Sequence, residues 1–502
     1  MKPLDMMVTD LNAEYLGIPK LSLMENAGRS LAKQISLISD PCKVNIFSGS
    51  GGNGGDGFVA ARHLLNMGFD VEIFLLTHPS KIKSSESKSN WDILQNMVPY
   101  MSPLKINLIN DSSQLKSSFL EMDDEVIVDA ILGTGITGEL KEPVRAAINL
   151  INKSHSIKIA VDIPSGMDPL TGQVDDVAIE ADYTVTFHKP KTGLKQGSHE
   201  NIGNLIVCDI GIPKEAEVFV GRGDLLRIKK RDENAHKGAN GRVLVVGGSH
   251  DYTGAPALAA MASLHLGADI VIVACPESAS IPIKSYSPDL IVRSFPGDYI
   301  NLDMVEPIIE MSHKVDCVLI GCGVGDKPQT EEALNLLVEK LVELNKTMVL
   351  DADALKLVEK EKIKNVENLT LTPHSAEFKS FFKNQDSIIL FDLHEKITAF
   401  QSVSQQIKGT VLLKGKMDMI FQGQKFRLNK TGSPGMTVGG TGDCLAGLVS
   451  ALMAQGHSSF DSACLAAFIN GMAGELAERE YGYQFTASEM LKFLSKATQL
   501  IF

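Results

Sequence analysis

The sequence predicts an α/β protein built from two doubly wound domains. Short apolar runs, typical of buried strands, alternate with helical patterns, as in parallel sheets that are covered by helices. The alternation stops in the charged stretch 213–238 and starts again at Gly241. With 502 residues, at roughly 150 residues per domain, the chain has room for more than one domain. We therefore place a boundary near 220, with the first domain in 1–220 and the second in 221–502.

The composition is that of a globular protein with an excess of negative charge. Hydrophobic residues make up 44% of the chain and charged residues 22%, which is enough apolar surface for packed cores. The net charge of −13 argues against general binding to nucleic acid. No run of about 18 apolar residues predicts a membrane span, and Asp5 and Asp10 interrupt any signal-peptide core. The seven cysteines lack paired spacing, which favours a reduced, cytoplasmic protein without a zinc site.

The first half opens with a helical region over 1–40, followed by a strand, a Gly-rich loop over 49–57 and a helix. The loop contains the letters G-x-G-x-x-G, which cradle a pyrophosphate in dinucleotide-binding folds. The next strand, over 71–77, ends without the acidic residue that would hold a ribose. We therefore expect a Rossmann-like three-layer sandwich whose loop holds a phosphate or nucleotide in another way.

Polar side chains follow three predicted strands of the first half. Asn53 lies in the Gly-rich loop, Asp129 lies near the end of the next long apolar run, and Asp162 and Ser165 follow a third strand. The carboxyl ends of parallel strands share one edge, so these side chains are expected to converge. Oxygen donors suit a hard cation, and Asp162 is placed to give or take a proton. The alternatives are that Asn53 shapes its turn, Asp129 caps a helix and Asp162 bonds local amides.

The second half repeats the pattern of strands that end in small or polar residues. The segments after these predicted strands are 247–248, 321–325, 351–353, 372–374 and 414–416. A lysine at a strand end, such as Lys414, can meet a phosphate, although most such lysines are only solvated. His374 stands in a turn, where most single histidines are surface or core residues.

A Gly-rich turn lies between a loop and an apolar run that predicts a buried helix, and its sequence is Gly439-Gly440-Thr441-Gly442-Asp443-Cys444. Free backbone N–H groups at such a helix start favour an anion. Asp443 could then take a proton from a substrate hydroxyl while the amides hold a transferring phosphoryl group. The alternative is that Asp443 only stabilises the start of the helix.

Taken together and in order, these motifs resemble the family of bifunctional NAD(P)H-hydrate repair enzymes, in which an epimerase domain is fused to a nucleotide-dependent dehydratase domain. The motifs of the epimerase half are Leu23-Met24-Glu25-Asn26-Ala27-Gly28, Asn53-Gly54-Gly55-Asp56-Gly57, Gly133-Thr134-Gly135, Asp162-Ile163-Pro164-Ser165-Gly166 and Asp209-Ile210-Gly211-Ile212-Pro213. The motifs of the dehydratase half, which is similar to the ribokinase-like superfamily, are Lys237-Gly238, Asp351-Ala352-Asp353-Ala354-Leu355, Thr372-Pro373-His374 and Gly440-Thr441-Gly442-Asp443. The resemblance covers essentially the whole chain.

The resemblance implies that the first half interconverts the R and S hydrates of NADH and NADPH (NADHX and NADPHX). The residues implied to bind the hydrate are Asn53, Gly54, Gly55, Asp56, Gly57, Gly133, Thr134, Gly135, Ile136, Thr137, Gly138, Glu139 and Asp162. Asp162 is also the implied acid or base. Asn53, Asp129 and Ser165 are implied to bind K⁺.

For the second half, a ribokinase-like three-layer sandwich, the resemblance implies phosphoryl transfer from ADP or ATP to the hydrate hydroxyl, followed by elimination of phosphate. Asp443 would take the hydroxyl proton, and Mg²⁺ is expected with the nucleotide. The residues implied at the hydrate are Ala255, Gly323, His374 and Asp443, and those at the nucleotide are Lys414, Gly415, Lys416, Met417, Asp418, Gly440, Thr441 and Gly442. We expect small-molecule ligands only, no nucleic acid or membrane partner, and a homo-oligomer.

Two other interpretations compete. One is a ribokinase-like small-molecule kinase with a non-catalytic N-terminal binding domain, because the turn Gly440-Thr441-Gly442-Asp443 suits a kinase equally well. The other is that the first half is a binding scaffold, as in some RNA-processing proteins. The chain also departs from the family pattern at Gly321-Cys322-Gly323, where Gly-Pro-Gly is commoner, and at Ser375-Ala376-Glu377, where a glycine often precedes the glutamate.

Overall fold

The structure is a computed structural model that describes residues 1–97, 103–115, 125–135, 139–383 and 393–499. The chain divides into two compact units, Met1–Ala216 and Glu217–Phe502. None of the helices in the described ranges is both long enough and apolar enough to cross a membrane.

The first unit contains a seven-stranded sheet in which every neighbouring pair is parallel. Its strands are β1 (Lys43–Ser48), β2 (Asp70–Leu75), β3 (Leu104–Leu108), β4 (Val126–Ala130), β5 (Ile157–Val161), β6 (Tyr183–Phe187) and β7 (Asn204–Cys208). Their order across the sheet is β3-β2-β1-β4-β5-β6-β7. The order reverses at β1, between β2 and β4, and a crevice opens at the carboxyl ends of the strands at such a point.

Helices cover both faces of this sheet. They are α1 (Pro3–Tyr15), α2 (Lys20–Ile38), α3 (Gly52–Asn66), α4 (Ser85–Met97), α5 (Val144–Asn152) and α6 (His199–Ile202), and the short α7 (Glu215–Val218) contains the boundary between the units. Leu31 of α2 and Leu64 of α3 belong to the apolar cluster of one face, and Ile148 of α5 belongs to that of the other. The predicted three-layer sandwich is therefore confirmed.

The second unit contains a nine-stranded sheet. Its strands are β8 (Arg242–Val246), β9 (Ile270–Pro276), β10 (Ile291–Phe295), β11 (Cys317–Ile320), β12 (Thr347–Leu350), β13 (Leu369–Leu371), β14 (Thr410–Leu413), β15 (Asp418–Gln422) and β16 (Lys425–Asn429). The order is β10-β9-β8-β11-β12-β13-β14-β15-β16. The pairs from β10 to β14 are parallel, and β15 and β16 pair in antiparallel fashion. Here the order reverses at β8, between β9 and β11.

Two helical layers enclose this second sheet. The helices are α8 (Gly254–His265), α9 (Glu277–Tyr286), α10 (Val305–Ser312), α11 (Pro328–Glu343), α12 (Ala354–Leu357), α13 (Lys360–Ile363), α14 (Ser375–Phe382), α15 (Leu393–Ser404), α16 (Thr441–Ala454), α17 (Ser459–Tyr481), α18 (Ala487–Leu491) and α19 (Leu494–Ala497). Ala259 of α8 and Leu448 of α16 are buried on one face of the sheet, and Leu337 of α11 is buried on the other.

Helices α8 and α16 lie unusually close because Gly447 has no side chain. A Cβ atom on Gly447 would lie 2.1 Å from the carbonyl oxygen of Ala259. The Ser263 hydroxyl crosses the same contact and donates to the carbonyl oxygen of Gly447 at 2.8 Å. This contact holds α16, and with it the predicted anion-binding turn, against the sheet.

Replacing Gly447 by alanine should lower the free energy of unfolding of the second unit by about 1–3 kcal/mol, because the added methyl group forces the two backbones apart. Scanning calorimetry of the full chain measures this as a lower midpoint. The matched control is Gly439→Ala, because a Cβ there meets nothing within 4 Å. Equal midpoints for the two variants would contradict the close contact.

Candidate active sites

At the carboxyl edge of the first sheet, Asn53 ties together the loops after β1, β4 and β5. It lies in the first turn of α3. Its Nδ2 donates to the carbonyl oxygens of Leu132, at 3.0 Å, and Val161, at 2.6 Å. These bonds join elements that are far apart in sequence, so the predicted convergence of polar strand ends is present in the structure.

Asp129 and Ser165 form the buried centre of this edge. Both carboxylate oxygens of Asp129 accept hydrogen bonds from Ser165, at 2.7 Å from the backbone N–H and 2.6 Å from the hydroxyl. The Ser165 hydroxyl in turn accepts from the N–H of Leu132 at 2.9 Å. Burial raises the pKa of Asp129 to about 6, although its hydrogen bonds act to lower it. Asn53, Asp129 and Ser165 therefore belong to one bonded group centred on Leu132.

Asp162 directly follows β5 and has φ 66°, a left-handed conformation that few residues other than glycine adopt. Its Oδ1 accepts from the Thr186 hydroxyl at 3.0 Å, from the N–H of Phe187 at 3.4 Å and from Nζ of Lys191. Lys191 is only 1% exposed and also donates to the carbonyl oxygen of Phe187 at 3.3 Å. The two residues form a buried ion pair that fixes the orientation of the Asp162 carboxylate.

A cavity of about 300 Å³ lies beside this ion pair. The predicted residues Asn53, Asp56, Thr134 and Asp162 line it, together with residues from α1 and α2. The cavity lies at the reversal point of strand order, where ligands bind in open α/β sheets. It brings together part of the predicted hydrate site.

Other predicted hydrate residues of this unit lie around the cavity or at the surface. The absence of side chains at Gly54, Gly55 and Gly57 lets α3 pack against Gly49, Met24 and Ala130 respectively, and a Cβ on Gly133 would collide with Asn53. Gly135 and Glu139 are exposed. The predicted residues Ile136, Thr137 and Gly138 lie outside the described residues.

The structure adds Asp10 and Lys191 to this cavity, and neither was selected from the sequence. The sequence did carry a signal for Asp10. It lies four residues after the buried Met6 and three before the buried Ala13, which places it on the same face of the helix as these apolar residues. Lys191 carried no signal, because a lysine in a polar Lys-Pro-Lys stretch usually faces solvent.

At the carboxyl edge of the second sheet, Lys414 follows β14 and contacts Asp351, which follows β12. Its Nζ donates to Oδ1 of Asp351 at 2.9 Å, and the Thr372 hydroxyl donates to the same oxygen at 2.7 Å. Burial acts to lower the pKa of Lys414, but Asp351 and Glu377 outweigh it and raise that pKa. The lysine is therefore charged at the end of its strand, as phosphate binding requires.

Asp443 lies in the first turn of α16, behind Gly440, whose φ of 99° suits the turn into the helix. Burial, together with the nearby charge of Asp351, raises the pKa of Asp443 to about 6, while Cys322 and Lys414 act to lower it. Cys322 is fully buried, with its thiol close to the Asp443 carboxylate. Ligand atoms of Cys322, Asp351 and Asp443 all lie within 4.8 Å of one another.

The predicted hydrate residues of this unit stand at the same edge. A Cβ atom on Gly323, which has φ 69°, would lie 3.4 Å from the Cβ of Ala255. His374 caps α14, with its Nδ1 accepting from the N–H groups of Ala376 at 3.1 Å and Glu377 at 3.3 Å. The ring of His374 therefore has a structural task besides any contact with a ligand.

The predicted nucleotide residues 414–418 form the turn between β14 and β15. The N–H of Gly415 donates to Oδ1 of Asp418 at 3.0 Å, and burial raises the pKa of Asp418 to about 6. Lys416 is exposed and Met417 is half-buried. Asp418 thus stabilises the turn itself.

The rest of the predicted nucleotide site is the start of α16. A Cβ atom on Gly442 would lie 3.3 Å from Nζ of Lys414, so the ammonium group lies beside the helix start. The Thr441 hydroxyl donates to the carbonyl oxygen of Met436 at 2.8 Å, which closes the preceding loop. A cation and free helix N–H groups therefore meet at one place, as an anion site requires.

Comparison with known proteins shows two family matches. The family described as NAD(P)H-hydrate dehydratase matches residues 243–496, and the family described as YjeF-related protein N-terminus matches residues 20–193. The bifunctional NAD(P)H-hydrate repair enzyme Nnr of Methanothermobacter thermautotrophicus is 56% identical over 494 residues, 98% of this chain and 94% of that protein. This chain belongs to the family of bifunctional NAD(P)H-hydrate repair enzymes.

Other relatives agree with that membership. The repair enzyme Nnr of Archaeoglobus fulgidus is 42% identical over 493 residues, 98% of this chain and 97% of that protein. Among solved structures, a ribokinase-like superfamily protein from Enterococcus faecalis V583 is 21% identical with a TM-score of 0.50, and the match covers 56% of this chain and 95% of that one. At this identity the likeness concerns the fold alone, and it bears out the predicted ribokinase-like sandwich.

Replacing Cys322 by alanine should raise the pKa of Asp443, because the neighbouring thiol acts to lower that pKa. If Asp443 acts as a base, kcat/KM for dehydration rises with pH through about 6 in the wild type, and this limb should move to higher pH in the variant. The measurement is the pH profile of dihydronicotinamide recovery from purified S hydrate.

The control is Cys322→Ser, which keeps a hydrogen-bond donor at the same place. In this variant the rise of kcat/KM with pH should stay close to its wild-type position. A limb that does not move in the alanine variant would show that the thiol does not act on Asp443.

Proposed function

We propose that the chain repairs hydrated NADH and NADPH in two steps, with epimerisation of the R and S hydrates in the first unit and nucleotide-dependent dehydration of the S form in the second. The observation that carries the proposal is the pairing, in one chain, of two different sites. One is a cavity beside the Asp162–Lys191 ion pair, and the other is a helix start with Asp443 and Lys414. Membership of the repair family supports the same division of labour.

In the dehydration step, Asp443 takes the proton of the hydrate hydroxyl as that oxygen attacks the terminal phosphoryl group of ADP or ATP. The N–H groups of 440–443 and the Lys414 ammonium stabilise the charge that develops on the phosphoryl oxygens. The phosphate ester then leaves as phosphate, a proton is lost from the neighbouring ring carbon, and the ring double bond returns. Phosphorylation thereby replaces hydroxide, a poor leaving group, with a good one.

Mg²⁺ is expected with the nucleotide, where it would neutralise phosphate charge. The described residues of this edge offer it the carboxylate of Asp351, a donor of the type that Mg²⁺ prefers. Asp351 already bonds to Lys414 and Thr372, so its role is also to hold the lysine in place.

In the epimerisation step, Asp162 is the proposed acid or base, oriented by Lys191. We infer that K⁺ binds among Asn53, Asp129 and Ser165, where it would add positive charge beside the substrate. Support for this inference comes from the donor set, because side-chain oxygens and the carbonyl oxygens of Leu132 and Val161 meet there, and a hard cation prefers oxygen.

The setting is proposed to be the cytoplasm. All seven cysteines are described as free thiols, as a reducing compartment requires. We also propose a homo-oligomer, because α2 leaves the large apolar side chains of Leu21 and Leu37 exposed, at 46% and 70%.

The first test is recovery of dihydronicotinamide absorbance from a mixture of R and S hydrates, with Mg²⁺, K⁺ and either ADP or ATP. Full recovery, faster than spontaneous epimerisation allows, is expected with one nucleotide and identifies the donor. Recovery of the S fraction alone would contradict the epimerase assignment. A stable phosphorylated alcohol without recovery would instead support the competing small-molecule kinase, and a mass spectrum distinguishes the two products.

Replacing Asp443 by asparagine should lower kcat for dehydration at least about 100-fold, because the hydroxyl loses its base. Calorimetry should show nucleotide binding unchanged, and epimerisation in the first unit should continue. The matched control is Asp303→Asn at an exposed position, which should behave as the wild type. Turnover within a few fold of the wild type in Asp443→Asn would rule out the base assignment.

A further inference from the structure

The epimerase cavity holds a carboxylate that the proposed mechanism does not use. Asp10, on α1, lines the same cavity as Asp56, Asp162 and Lys191. It is mostly buried, and its charge interacts with those of Asp162 and Lys191 across the cavity and with Lys20 of α2. With Glu86 of α4, four carboxyl groups and one buried lysine therefore line a space of about 300 Å³.

The chemistry of the substrate calls for two proton-handling groups. Water adds to the dihydronicotinamide ring at the carbon bonded to nitrogen, because the nitrogen lone pair stabilises positive charge there. The hydrated carbon then bears both a hydroxyl group and the ring nitrogen. Its configuration inverts if the carbon–nitrogen bond opens to an aldehyde and closes again on the other face. Opening requires removal of the hydroxyl proton and delivery of a proton to nitrogen.

Asp162 and Asp10 have different surroundings, which suit one to remove the hydroxyl proton and the other to deliver a proton to nitrogen. Asp162 pairs through Oδ1 with the Lys191 ammonium, which holds its carboxylate in a fixed position at the cavity. For Asp10, burial raises the pKa to about 7, with Asp162 adding to the effect and Lys191 and Lys20 opposing it. Two carboxyl groups in different surroundings at one cavity are the arrangement that acid–base pairs use.

We propose that Asp10 is the general acid of epimerisation and works with Asp162 as the general base. The inference rests on the proposed function of the first unit. Asp162 takes the hydroxyl proton, the carbon–oxygen double bond forms, the carbon–nitrogen bond breaks, and Asp10 gives its proton to nitrogen. After rotation of the aldehyde, nitrogen attacks the other face, Asp10 takes back its proton and Asp162 returns the other to oxygen. No further reactant is needed.

Asp56 is the competing candidate for the acid, since it lines the same cavity. Burial, together with the charges of Asp162 and Asp10, raises the pKa of Asp56 well above its usual range. The pKa of Asp10 lies near neutral pH, where a general acid works best. Asp56 is therefore suited to donate a lasting hydrogen bond to the substrate.

The test is the rate of conversion of purified R hydrate to S hydrate in the full-length chain. Asp10→Asn should lower it at least about 100-fold, while dehydration of purified S hydrate stays at the wild-type rate. In the wild type, kcat/KM for epimerisation should fall as pH rises through about 7, because Asp10 loses its proton. Asp10→Ala should regain part of its rate when formic acid is supplied, which a purely structural role would not permit.

The matched control is Asp92→Asn, the same substitution at an exposed position of α4. The inference would be overturned if Asp10→Asn epimerised at a rate within threefold of the wild type. It would also be overturned if kcat/KM of Asp10→Asn still fell as pH rose through about 7. If Asp56→Asn alone removed that fall, Asp56 would be the acid instead. A wild-type chain that failed to epimerise at all would overturn the proposed function itself, which keeps the two failures distinguishable.

Discussion

Both sites depend on one constraint of parallel sheets, which is that all strands deliver their carboxyl ends to the same edge. Where the order of strands reverses, at β1 in the first unit and at β8 in the second, the helices that follow neighbouring strands pack on opposite faces and leave a crevice. Residues separated by a hundred positions, such as Asn53 and Val161, thereby come within hydrogen-bond distance. The glycines that the loops require are secondary to this geometry, because they only let the backbones approach.

A second common principle is the balance of buried charge. In each unit a lysine from the segment after a strand pairs with a carboxylate that follows another strand, Lys191 with Asp162 and Lys414 with Asp351. Removing charges from water is costly, and a buried pair repays that cost only when further hydrogen bonds satisfy both partners. Thr186 and Thr372 supply such bonds. The pairs therefore fix geometry more than they stabilise the fold, and they leave the remaining acids to change their protonation.

The sequence supported the fold well because most strands at the centre of each sheet are short, largely apolar and followed by polar residues. The polar segments predicted to follow strands at 321–325, 351–353, 372–374 and 414–416 do follow β11, β12, β13 and β14 directly. The predictions missed β10, whose side chains are largely exposed, and the β15–β16 hairpin, whose polar residues interrupt the apolar pattern. The helical region 1–40 proved to be two helices, separated near Gly17, which has φ 101°.

The sites were less accessible to sequence reasoning, for physical reasons. Asn53, Asp129 and Ser165 could be grouped because each follows a strand, and the structure joins them in one bonded group. Lys191 and Cys322 act through partners that are far away in the chain, and a lysine or cysteine has no local pattern that reveals such a partner. In the same way, the capping role of His374 and the turn-stabilising role of Asp418 depend on bonds that only coordinates display.

The left-handed backbone of Asp162 has a consequence for how this protein can change over time. Such a conformation costs a non-glycine residue on the order of 1 kcal/mol or more, and glycine would adopt it without that cost. A change of Asp162 to glycine would relieve that strain, but it would leave the buried Lys191 ammonium without its carboxylate partner, which costs about 3–5 kcal/mol. The loss of the ion pair outweighs the relief, so Asp162 cannot be replaced alone without a loss of stability. Positions 162 and 191 are therefore coupled, and a change at one favours a compensating change at the other.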